Sequence, residues 1–125
     1  MAGVTLDAGA LIGVDRNDRR IIVLLARARE TGSRITVPAT ALAQAIRDPQ
    51  RQARLARLVR QPTTDVVHLD RVDATNVGRL LAASGTADIA DAHVVICARR
   101  ARQQVVTSDA DELHALDPSL GIIAI

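Results

Sequence analysis

Tryptophan, tyrosine and phenylalanine are all missing from the 125 residues. Without them the chain cannot hold single-stranded bases by aromatic stacking, and its core must be assembled from Ala, Val, Leu and Ile. Lysine is missing too, so all 16 basic residues are arginine. That excludes a lysine Schiff base, a P-loop lysine and the lysine partner of phospho-aspartate chemistry. A GC-rich coding sequence accounts for such a bias first, and the fit of planar guanidinium groups to phosphate is compatible with it. The lone Cys97 permits no intrachain disulfide and, inside an apolar stretch, reads as a small core residue. No apolar run approaches the ~20 residues of a membrane-spanning helix. The start lacks the charged-then-apolar pattern of a signal peptide, so a cytoplasmic protein without a membrane partner is expected.

What is present suffices for one core. At 13.3 kDa and 48% hydrophobic, residues 1–125 are expected to form a single domain. Strand patterns at residues 4–6, 34–37, 64–69, 104–107 and 121–125 alternate with helical patterns at 8–14, 19–30, 38–46, 50–60, 71–84, 86–102 and 110–116. Such alternation predicts an α/β fold with a parallel sheet of about five strands, covered by helices on both faces.

The stretch TADIADAHVVIC at residues 86–97 organises the chain. Thr86 is the expected helix cap. Asp88 and Asp91 lie three positions apart and share one helix face, at the mouth of an otherwise apolar helix. Two explanations compete for this carboxylate pair: interaction with the helix dipole, typically ~0.3–1 kcal/mol each, or a metal site.

In parallel α/β sheets the ligand crevice lies beyond the carboxyl ends of the strands. Asp7 directly follows the first strand and Asp109 follows the fourth, so both belong at that edge, with Asp111 two residues further on. Singly, an aspartate before a helix is commonly a cap. Together, several carboxylates in one crevice repel each other and either raise their pKa values or require a cation. Oxygen donors without His or Cys select Mg²⁺ or Mn²⁺, an ion suited to phosphodiester hydrolysis. His68, His93 and His114 have no spacing suggestive of a shared metal and read as structural or surface residues. Arg47, Arg51 and Arg54 would share a helix face if their helix were continuous, which Pro49 opposes. A solvated face is the simpler reading of them.

The segments TLDAGALI (5–12), VPATALAQ (37–44), ADA (90–92) and VTSD (106–109) occur in order across nearly the whole chain. Together they resemble a PIN domain, and more narrowly the VapC toxins of bacterial type II toxin–antitoxin pairs. The resemblance implies a Mg²⁺- or Mn²⁺-dependent endoribonuclease inhibited by a VapB-type antitoxin, with RNA as substrate and a homodimer as the assembly. It implies catalytic and metal-binding roles for Asp7, Asp91 and Asp109, an additional metal-site role for Asp88, and auxiliary roles for Asp111 and Gln44. At Gln44 the family usually has a glutamate. An amide keeps an acceptor oxygen but contributes no negative charge, so weaker metal binding is expected here. The alternative is a PIN-fold binding module of weakened catalysis. The charged faces beside apolar stripes of helices 19–30 and 50–60 suggest a groove for an antitoxin helix.

Overall fold

A computed structural model describes residues 3–125. Five short strands form one parallel sheet: β1 (Val4–Leu6), β2 (Ile35–Pro38), β3 (Thr64–Val67), β4 (Gln104–Thr107) and β5 (Ile122–Ala124), in the spatial order β3-β2-β1-β4-β5. Val4 pairs with Ile35 on one side and with Gln104 on the other. The chain therefore leaves the central strand β1, builds outward to β3, and returns across the sheet to β4. The order reverses at β1 and β4, which makes their carboxyl ends the natural crevice.

The chain runs outward from β1 one way and then the other, and with the right-handed crossovers general to parallel strands this places helices on both faces. The helices α1 (Ala8–Asp15), α2 (Arg19–Glu30), α3 (Ala39–Ala45) and α4 (Ala53–Val59) precede the return across the sheet; α5 (Arg71–Ser84), α6 (Ile89–Ala101) and α7 (Ala110–Leu116) follow it. α6 packs against β1, β2 and β4 and carries α5 on its outer side. Seven of its residues are buried, including Val94, Val95, His93 and Cys97. The core is free of aromatic rings other than His93 and is dominated by aliphatic side chains, with Leu6, Leu11, Ile21, Leu55 and Leu113 fully enclosed. The fold is the expected α/β sandwich with helices on both faces.

The third and fifth strands are shorter than the sequence pattern, Thr64–Val67 and Ile122–Ala124, and three further boundaries differ in kind. The second strand runs Ile35–Pro38, and Pro38 is the residue before α3 rather than its first turn. The expected helix 50–60 is broken into a 3₁₀ turn, Pro49–Arg51, and α4. The buried side chain of Gln52 occupies the break. Its Oε1 accepts from the N–H groups of Arg47 (2.9 Å) and Asp48 (3.1 Å), and its Nε2 donates to the Ala45 carbonyl at 3.0 Å. Finally, α6 is capped by Asp88, not Thr86, whose hydroxyl instead meets that of Ser84 at 2.9 Å. Among the described residues no single helix is long and apolar enough to cross a membrane.

Candidate metal centre

Asp7 leaves β1 and turns straight into α1. Its Oδ1 accepts the Ala10 N–H at 2.8 Å, so it is the helix cap that the sequence suggests. It is also only 6% exposed. Burial raises its pKa; a hydrogen bond from the Thr107 hydroxyl and backbone N–H groups opposes that rise, and the charge of Asp109 adds to it. Thr107, fully buried at the end of β4, also accepts the Asp109 N–H at 2.8 Å. One hydroxyl thus ties the loop after β1 to the loop after β4. The two loops approach closely at Gly9, where an added Cβ would lie 2.8 Å from Ser108 Oγ.

Asp88 and Asp91 enter from the other side of the sheet edge. Asp88 Oδ1 accepts the Asp91 N–H at 2.9 Å, which starts α6 and satisfies an orphan donor of its first turn. Asp91 is half-buried, and its pKa is pushed up to about 7. Burial is the largest cause, followed by the charges of Asp88, Glu112 and Asp7 and by a hydrogen bond with Glu112. Asp109 caps α7, accepting the Glu112 N–H at 3.3 Å. A cleft of about 230 Å³ opens beside Asp88, Asp91 and Glu112, with Thr86 on its rim.

The carboxylates of Asp7, Asp88, Asp91 and Asp109 therefore lie in one electrostatic neighbourhood, linked pairwise through Asp91 and Asp7. Gln44 and Asp111 are exposed on α3 and α7, and neither is among the groups that act most strongly on Asp7 or Asp91. Two members escaped the sequence reading. Glu112 stands three residues after Asp109, the spacing of a capping box, which is the signal that marks it. Thr107 carried no signal beyond its place in a strand.

The donor set is oxygen alone, which suits a hard divalent cation. Among the described residues, the one group of three with ligand atoms all within 4.8 Å of one another lies elsewhere, at Asp73, His93 and Cys97. The arginines do not form the patch considered from the sequence: Arg51 pairs with Asp48 at 3.4 Å, Arg54 reaches the Asp15 carbonyl, and Arg47 turns back on the Ile46 carbonyl.

No protein-family model matches the chain, and no curated protein matches it. Its fold matches a chain in the crystal structure of VapBC2 from Rickettsia felis bound to a DNA fragment from their promoter. The TM-score is 0.66, the identity 13%, and 98% of each chain is covered. At that identity the likeness is one of fold, and it is the PIN-like fold implied by the motifs.

Proposed function

We propose that this chain is the toxin of a VapBC-type pair and cleaves RNA as a Mg²⁺- or Mn²⁺-dependent endoribonuclease. The observation that carries this reading is Asp91, a carboxyl pushed up to about 7 by burial and by the charges of Asp88, Glu112 and Asp7. Carboxylates gathered at this cost are suited to a ligand that neutralises them. The fold shared with VapBC2 supports the toxin assignment, and so does the order of the four sequence segments.

In this reading Asp7, Asp91 and Asp109 hold the ion and Asp88 assists. A bound Mg²⁺ or Mn²⁺ would neutralise charge on a phosphodiester oxygen and lower the pKa of an attacking water. The protein's own groups do the positioning. Asp7 is oriented by the Ala10 N–H and the Thr107 hydroxyl. Without the ion Asp91 keeps its proton up to about pH 7, with Glu112 as its hydrogen-bond partner; holding the ion would require its ionised form. Asp88 adds negative charge at the start of α6 and fixes the first turn that presents Asp91.

The antitoxin reading rests on a second cleft of about 230 Å³ between α2 and α4. Ile22, Leu25 and Leu58 give it an apolar lining, and Arg29, Arg54 and Arg57 a basic one. A VapB-type segment carrying apolar and acidic side chains suits it. The rest of the reading is a cytoplasmic homodimer with no membrane partner. VapBC2 was crystallised on promoter DNA, and we extend that pattern to the complex of this chain with its antitoxin.

The test is cleavage of RNA by the purified chain across Mg²⁺ and Mn²⁺ concentrations, beside Asp7→Asn and Asp91→Asn. Metal-dependent cleavage lost in both folded variants is expected. Cleavage unchanged in both rejects the residue assignment. No cleavage by the natural chain at any concentration of either ion favours the binding-module alternative.

A further inference from the structure

Away from the crevice, three buried side chains with metal-ligating atoms converge between α5 and α6. Asp73 on α5 is 1% exposed, and His93 and Cys97 on α6 are 0% and 2% exposed. His93 and Cys97 are four residues apart, so they share a helix face; α5 packs on α6 and brings Asp73 to the same point. A carboxylate oxygen of Asp73, a ring nitrogen of His93 and the Cys97 sulfur all lie within 4.8 Å of one another.

Two of these atoms are unsatisfied. Asp73 Oδ2 and His93 Nε2 are buried and have no hydrogen-bond partner. They face each other at 3.7 Å, an ion-pair separation slightly longer than a good hydrogen bond, and the Asp73 charge acts on His93. Buried polar atoms without good hydrogen bonds are costly, and a cation held between these two would satisfy both. The other polar atom of each group is already engaged: His93 Nδ1 meets Thr40 Oγ1 at 2.7 Å, and Asp73 Oδ1 is paired with Arg100. That division is the one seen at metal sites, where outer contacts fix the ligand and leave its inner atom for the ion.

We propose that Asp73, His93 and Cys97 form a binding site for a soft divalent transition metal, Zn²⁺ by preference, which fastens α5 to α6. Thiolate, imidazole and carboxylate together select Zn²⁺ over Mg²⁺ or Ca²⁺. Tetrahedral coordination at Zn–N and Zn–O distances of ~2.0–2.1 Å puts those two ligand atoms ~3.3–3.4 Å apart. The observed 3.7 Å between Oδ2 and Nε2 needs only a small contraction. On binding, the Cys97 thiol releases its proton to solvent. The thiolate and the Asp73 carboxylate then face the ion, and a fourth ligand such as water would complete the tetrahedron. Arg100, half-exposed at the surface end, keeps its place on Asp73. The site is independent of the nuclease reading.

Cobalt(II) is the probe. Protein stripped with chelator and titrated with Co²⁺ is expected to bind an equivalent of ion with a thiolate-to-cobalt charge-transfer absorption in the near ultraviolet. Zn²⁺ should then abolish the absorption by displacement. Cys97→Ser should lack it, whereas Asp7→Asn should keep it, because the crevice contains no sulfur. A wild-type chain without the absorption overturns the proposal, as does a Cys97→Ser chain that retains it. The wild-type spectrum decides alone if the variant does not fold, since Cys97 is the one thiol in the sequence.

Discussion

Asp88 accepts the backbone N–H of Asp91 at 2.9 Å, so the residue that starts α6 also sets a negative charge beside the most perturbed carboxyl of the crevice. Cap and charge can be separated by substitution. Asn is as good a cap as Asp, so Asp88→Asn should keep the helix start and lower the pKa of Asp91 from about 7. Asp88→Ala should remove the charge and also cost ~1 kcal/mol through loss of the cap. Carboxyl-detected NMR titration of Asp91, with chemical denaturation of each variant, separates the two effects.

Asp91 makes stability depend on pH in a defined direction. Its folded pKa lies above the unfolded value of 3.8, so between 3.8 and about 7 the folded state binds more protons than the unfolded one. Stability therefore falls as pH rises through that window, and the penalty is fully developed above it. Asp91→Asn should flatten this slope and, after discount for solvent screening, stabilise the metal-free protein by ~1–2 kcal/mol above neutrality. Denaturant midpoints at about pH 5 and about pH 8 for both proteins check the sign. An Asp91→Asn chain with an unchanged slope would remove Asp91 as its source.

Thr107→Val keeps shape and burial while deleting a hydroxyl that donates to Asp7 and accepts from the Asp109 N–H. The loss leaves polar groups unpaired at the sheet edge and should cost ~1–3 kcal/mol. It should also raise the pKa of Asp7 further, so the loss grows as pH increases. Thr107→Ser restores the hydroxyl and should recover most of both effects in the same unfolding measurements.

Gln52→Ala should free the N–H groups of Arg47 and Asp48 and the carbonyl of Ala45 together. Destabilisation of ~1–3 kcal/mol is expected. Hydrogen exchange should accelerate at Arg47 and Asp48 while the amides of β1 stay protected to the extent allowed by global unfolding. Unchanged exchange at both positions would contradict the role given to the Gln52 side chain.

Gln44→Glu adds the carboxylate usual at this position in the family that the chain resembles. On the proposed nuclease reading it should increase RNA cleavage severalfold at limiting Mg²⁺ and leave thermal stability nearly unchanged, since Gln44 is exposed. Cleavage rate as a function of Mg²⁺ is the measurement. No increase would show that an added charge on α3 does not reach the ion.

The parallel sheet and the places of Asp7 and Asp109 were legible because a short apolar strand followed directly by aspartate marks the carboxyl edge. The cap of α6 was not. Thr86 and Asp88 are both good capping residues, and only packing chooses between them, with Thr86 turned toward Ser84. The interruption before α4 was hinted at by Pro49, but its cause is a side chain three residues later, Gln52, folding back on three backbone groups. Glu112 was readable from its distance to Asp109, the spacing of a capping box. The meeting of Asp73 with His93 and Cys97 was beyond reach of pattern, because it depends on how α5 lies across α6.

α6 begins at the rim among the crevice acids and then runs inward, where His93, Val94, Val95 and Cys97 are enclosed. The same helix thus carries both the rim carboxyl and the enclosed filling. An added methylene in the enclosed stretch, as in Val95→Ile, overfills the packing under the helix whose first turn presents Asp91.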